Sequence, residues 1–168
     1  MLKKMLEDCG AIKYGEFTLT SGKKSNYYVD IKLASTRPDV LKIIASKMAR
    51  EVDGEIIAGM ELGAVPLASA VSLKKDLPFL MVRKESKAHG TKGRIEGTLE
   101  KGDVVTVVED VTTTGGSAAE TVEILRDAGA EVNRVLVVVD RKEGAEEKLK
   151  DINVELVPLI TADELVDK

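Results

Sequence analysis

Cysteine occurs once in 168 residues, at Cys9, which excludes a disulfide framework and a thiolate metal cluster. Glutamine is absent and asparagine occurs three times, while lysine and glutamate abound, a balance that leans toward a heat-adapted source. No apolar run approaches the ~20 residues that a membrane helix needs. Met1 to Gly10 carries charge throughout, so no signal peptide is expected either. A basic excess is also missing. The formal net charge of −4 argues against a nucleic-acid partner, which would draw a positive balance. With no membrane or export signal, the expected location is cytoplasmic. Internal repeats and linkers are lacking too.

What is present is a balanced chain, 43% hydrophobic against 32% charged. Its length suits one domain that buries ~70% of its unfolded surface. It is organised around Val104 to Ser117, VVTVVEDVTTTGGS. Val104 to Val108 has the composition of a strand buried on both faces. Glu109 and Asp110 follow where that strand would emerge at its carboxyl end. Three threonines, two glycines and Ser117 then lead into a helical pattern. Ser117 with Glu120 reads as a capping box, and Gly129 as the helix stop.

A small-residue turn between a buried strand and a helix amino terminus is a phosphate cradle. Its N–H groups point outward unpaired, and the helix dipole favours an anion. Gly115 and Gly116 permit close approach, and Thr112, Thr113, Thr114 and Ser117 add hydroxyl donors. The turn is neither G-x-x-x-x-G-K-[ST] nor G-x-G-x-x-G. Two carboxylates would repel a phosphate. Glu109 and Asp110 are therefore expected to face another part of the ligand, a sugar diol or a magnesium ion shared with it.

The rest of the chain predicts the frame. Leu2 to Cys9 reads as an amphipathic helix, and the segments around Phe17 and Tyr28 as a small hairpin turning at Ser21 to Lys24. Pro38 to Val52 is a helix with Val40, Ile43, Ile44, Met48 and Val52 on its apolar stripe. Strands at Glu55–Ala58, Phe79–Val82 and Val135–Val139 precede a last one at Val154–Pro158, with helices at Ala64–Leu73 and Glu143–Lys150. Thr161 caps a closing helix to Val166. Together they predict an α/β fold with a doubly wound, mainly parallel five-stranded sheet and right-handed crossovers. The turn Gly59 to Gly63 is either a second anion site or a simple tight turn. Arg83 to Gly97 holds five cations among fifteen residues, with the only histidine, His89, and three glycines. Such a loop is either a functional lid or solvated. The functional turns all fall at carboxyl ends of strands, where these sheets bind ligands.

The central stretch resembles the phosphoribosyl pyrophosphate (PRPP) motif of the type I phosphoribosyltransferases. The resemblance implies PRPP contacts from Glu109, Asp110, Val111, Thr112, Thr113, Thr114, Gly115, Gly116 and Ser117, the turn taking the 5-phosphate and the acids the ribose. Residues 17–30, F-T-L-x-S-G-x-x-S-x-Y-Y-x-D, resemble the N-terminal hood of the orotate-specific members, which covers the base. That implies a hood over about 1–35 and a core over about 36–168 of one domain. Bacterial members carry a lysine before the S-G pair; here Thr20 stands there, and Lys23 is the nearest cation to replace it. They also carry a lysine in the turn where this chain has Gly63, which leaves the pyrophosphate to backbone N–H groups.

R-K-E-x-K-x-H-G from Arg83 resembles the mobile catalytic loop of the same members. The resemblance places Arg83, Lys84, Lys87 and His89 on the pyrophosphate, with Lys87 and His89 reaching into a partner subunit's site. Arg141 matches an arginine that binds the orotate carboxylate, which a planar guanidinium suits bidentately. Thr113 and Lys23 join it as orotate-binding residues. The implied catalytic residues are Lys87, His89 and Asp110, and the implied cofactor is magnesium, held mainly through PRPP and not by a protein metal site. The implied assembly is a homodimer sharing loop 84–97, with no nucleic-acid or membrane partner. Two alternatives stay open, a transferase for another base and a PRPP-binding regulator without turnover. The first should lack the hood sequence and Arg141, and the second would need an effector region.

Overall fold

The computed structural model describes residues 1–86 and 93–166. The chain opens with α1 (Leu2–Asp8) and an antiparallel hairpin of β1 (Ile12–Thr18) and β2 (Lys24–Val29). Next come α2 (Ile31–Ser35), capped by the Asp30 carboxylate accepting from the Leu33 N–H, and α3 (Pro38–Ala49). Then follow β3 (Ile56–Met60), α4 (Ala64–Lys75), three successive strands β4 (Phe79–Val82), β5 (Ile95–Glu96) and β6 (Val105–Thr112), and α5 (Gly116–Asp127). The last elements are β7 (Arg134–Asp140), α6 (Ala145–Lys150), β8 (Glu155–Thr161) and α7 (Ala162–Val166).

The central sheet has the order β5-β4-β3-β6-β7-β8, parallel throughout except for β5 against β4. It is the doubly wound, mainly parallel α/β sheet that the strand pattern predicts. β5 is the addition, a two-residue edge strand too short to show any periodicity. Alternate residues of the inner strands feed two cores. Ile57, Val108, Leu136 and Val138 pack with α1, α3 and α4 on one face, while Ile56, Val105, Val107 and Val135 pack with α5 and α6 on the other. Burial on both faces is why these strands are nearly continuous in valine and isoleucine.

Two local expectations are corrected. β6 does not stop at Val108 but pairs with β7 through Glu109↔Val137, Val111↔Val139 and Thr112↔Asp140. The acidic pair therefore sits inside the strand's last turns, because the neighbouring strand continues far enough to bind it. The capping box does not form either. α5 starts at Gly116 with Gly115 as its N-cap, which places Ser117 one residue inside the helix and turns Glu120 to a salt bridge with Arg94 at 2.8 Å. Gly129 does mark the stop, with a left-handed φ of +100° just past the helix.

Candidate active site

Strand alternation separates the two acids of β6. Glu109 points inward and is 6% exposed, its Oε1 accepting the Asp110 N–H at 3.2 Å. Its Oε2 is the only buried side-chain polar atom without a hydrogen-bond partner among the described residues. Burial, reinforced by the charge of Asp110, pushes the Glu109 carboxyl up to about 8. Asp110 is more open. Its Oδ1 accepts the Val111 N–H at 2.9 Å, and its Oδ2 lies 3.8 Å from Lys32 Nζ on α2. A Cβ at position 63 would meet that same Oδ2 at 2.1 Å, so glycine in the β3–α4 turn is what leaves the carboxylate its room.

Beyond the acids, the turn 113–117 delivers exposed Thr113, Thr114, Gly116 and Ser117 to the amino terminus of the twelve-residue α5. Gly115 makes the turn possible: its φ is +83°, and a Cβ would come within 2.9 Å of Ala145 Cα. The first N–H groups of α5 have no intrahelical acceptors and face this turn. Thr112 differs from its neighbours, since its buried hydroxyl donates to Asp140 Oδ1 at 2.8 Å.

The hairpin closes one side of the turn. A cleft of about 430 Å³ is lined by Thr18 to Ser21, Lys23, Tyr28 and Val29 from the hairpin. The opposite wall is Val111, Thr113 and Thr114 from the cradle, with Arg141 and Glu143 from the turn after β7. The three residues predicted to meet a base, Lys23, Thr113 and Arg141, thus line one cavity. Arg141 is 9% exposed; its backbone N–H donates to Thr112 O at 2.9 Å, which ties the β7 turn to the cradle. Ser25, Tyr27, Tyr28, Glu143 and Lys32 stand at this site without a role assigned from the sequence. The S-x-Y-Y spacing was the available signal for the first three, and Tyr28, 43% exposed with its ring 5.7 Å from that of Phe17, offers an aromatic wall to the cleft.

On the other side of the acids, the segment after β4 is braced at both ends. Arg83 N–H donates to Arg94 O at 2.7 Å, and Arg94 Nε returns a hydrogen bond to Arg83 O at 3.0 Å. Arg83 Nε donates to Glu96 Oε1 at 3.0 Å, and Lys84 N–H donates to Glu61 Oε1 at 2.7 Å, which joins this segment to the turn at Gly63. Lys87 and His89 lie outside the described residues. Among the described residues no cluster of three metal-ligating side chains occurs.

The family description "Phosphoribosyl transferase domain" matches residues 36–163. The orotate phosphoribosyltransferase of Methanosarcina mazei is 56% identical over 164 residues, covering 96% of this chain and 88% of that protein. The crystal structure of orotate phosphoribosyltransferase from Aeropyrum pernix superposes with a TM-score of 0.88 at 36% identity, covering 99% of this chain and 96% of the other. The structure of Leishmania donovani UMP synthase gives 0.85 at 35% identity, over 98% of this chain but 36% of that longer one.

Proposed function

The chain belongs to the phosphoribosyltransferase family, within its orotate phosphoribosyltransferases, and on that premise we propose that it transfers the ribose 5-phosphate of PRPP to orotate. The products are orotidine 5′-monophosphate and pyrophosphate, a step toward pyrimidine nucleotides. The observation that carries this reading is the single cleft that joins hairpin residues Lys23 and Tyr28 to cradle residues Thr113 and Thr114 and to Arg141. That grouping supports a planar anionic base held beside a sugar phosphate.

The roles follow from the chemistry of each group. The N–H groups at the start of α5, with Thr113, Thr114 and Ser117, receive the 5-phosphate. Thr112 supports that turn through Asp140 and Arg141 in place of offering its hydroxyl. Glu109 and Asp110 receive the ribose hydroxyls. The unpartnered Oε2 of Glu109 is an acceptor that a ligand hydroxyl would satisfy. Arg141, with Thr113 and Lys23, holds the base. As the anomeric carbon's bond to pyrophosphate breaks and its bond to the orotate ring nitrogen forms, that nitrogen gives up its proton to the departing pyrophosphate or to solvent, and Asp110 offsets the positive charge that develops on the sugar. Arg83, Lys84, Lys87 and His89 neutralise the departing pyrophosphate, and a closed loop keeps out the water that would hydrolyse PRPP.

On this reading magnesium is held mainly by oxygens of PRPP, and the open Asp110 carboxylate, not the inward Glu109, is the acidic group of β6 that could reach it. Bound that way, magnesium supplies charge neutralisation at the pyrophosphate. The same reading carries a cytoplasmic homodimer that shares loop 84–97 between subunits. No helix among the described residues is long and apolar enough to cross a membrane.

The test is absorbance of orotate in the presence of PRPP and magnesium, with adenine, hypoxanthine and uracil in parallel. Orotate loss that requires both PRPP and magnesium is expected. Consumption of a different base would overturn the assignment of the hairpin cleft and Arg141. PRPP binding without turnover of any base would make the protein a regulator.

A further inference from the structure

On the reading of the cleft as the orotate site, we propose that Glu143, Ser25 and Tyr27 are positioning residues that fix Arg141 as a fork for a planar carboxylate. Arg141 is held from three directions. Its Nε donates to Glu143 Oε1 at 3.4 Å, and its Nη2 donates to Ser25 Oγ at 3.0 Å. The ring of Tyr27 lies under the guanidinium, 4.3 Å from Cζ to the ring centroid. These supports are themselves fixed. Tyr27 is 7% exposed, and the Ser25 hydroxyl donates to Tyr27 O at 2.7 Å, which turns its lone pairs toward the arginine.

A guanidinium has two edges that can grip a carboxylate. Glu143 and Ser25 engage the side-on edge. The end-on edge remains, Nη1 with the second hydrogen of Nη2. The contacts of the side chain use Nε and Nη2, which leaves the Nη1 edge without a hydrogen-bond partner among the described residues, and Arg141 lines the cleft. The ion pair with Glu143 also offsets part of the arginine's charge. Recognition then depends on the fork's plane and direction more than on attraction alone. Two of the three supports belong to β2, so the fork is aimed only while the hairpin is docked. Base choice is thereby coupled to a segment 116 residues away in sequence.

Steady-state kinetics of Glu143→Ala, Glu143→Gln and Ser25→Ala, with magnesium present, test the proposal. Glu143→Ala is expected to raise the orotate KM about tenfold, the scale of one lost charged hydrogen bond, with the PRPP KM within about twofold of wild type. Glu143→Gln keeps an oxygen acceptor for Nε and is expected to restore most of the orotate KM. Ser25→Ala, which removes a smaller contact, is expected to shift the orotate KM in the same direction and serves if Glu143→Ala does not fold. Unchanged orotate KM in both alanine variants, or equal rises in the two substrates' KM values, would overturn the positioning role. Wild-type protein that turns over no orotate would instead overturn the reading of the cleft on which the role rests.

Discussion

A carboxyl group deprived of water and set beside a second carboxyl keeps its proton to higher pH. Glu109 is in that position, raised from 4.5 to about 8 by burial first and by Asp110 second. The folded state thus binds its proton more tightly than the unfolded chain does. The associated stability is fully present below about pH 4.5 and is lost as the pH rises through about 8. Glu109→Gln keeps the shape and removes the titration. In the absence of ligands, the wild-type melting temperature should fall from pH 5 to pH 9 by more than that of the variant. Equal slopes in scanning calorimetry would mean that Glu109 ionises like an ordinary surface acid. The pair itself is legible in the sequence, as adjacent acids before a phosphate turn. The difference between its members is not, because a strand's two-residue period assigns the faces only once the strand is known to run through residue 109.

At the scale of elements, most boundaries follow from composition, and the misses share a cause. β6 continues past its valines because β7 supplies backbone partners as far as Asp140, and pairing with a neighbour does not show in local sequence. The capping box is displaced for a related reason. Gly115 takes the left-handed conformation against α6, so the helix starts two residues earlier than a serine cap would have it. This makes a paired prediction. Gly115→Ala forces an L residue to φ +83° and presses its Cβ to 2.9 Å from Ala145 Cα, whereas Gly22→Ala meets the same backbone strain at φ +81° with nothing within 4 Å. Gly22→Ala should cost about 1–2 kcal/mol, the conformational term alone. Gly115→Ala should cost more than that, because backbone must also move. Urea midpoints of the two variants give the comparison, and equal losses would mean that the contact with Ala145 relaxes freely.

For the whole molecule, the sequence announces which segments carry chemistry but not which of them meet. Arg141 and Ser25 come together only because the hairpin docks where the carboxyl ends of β6 and β7 open, and strand order is a property of the complete sheet. The segment after β4 raises the same question between subunits. If loop 84–97 serves the partner's site, a Lys87→Ala dimer lacks a pyrophosphate ligand at both sites, and a Lys87→Ala variant should turn over ~10²–10³ more slowly than wild type. An Asp110→Asn dimer lacks the ribose carboxylate at both sites. In a heterodimer of the two, one site receives the intact Lys87 loop and retains Asp110, while the other has both defects. Unfolding and refolding an equal mixture should then recover roughly a quarter of wild-type activity, since half the dimers are mixed and each holds one intact site. A loop that served its own subunit would leave every site with one defect, and the mixture would only average its two weak parents.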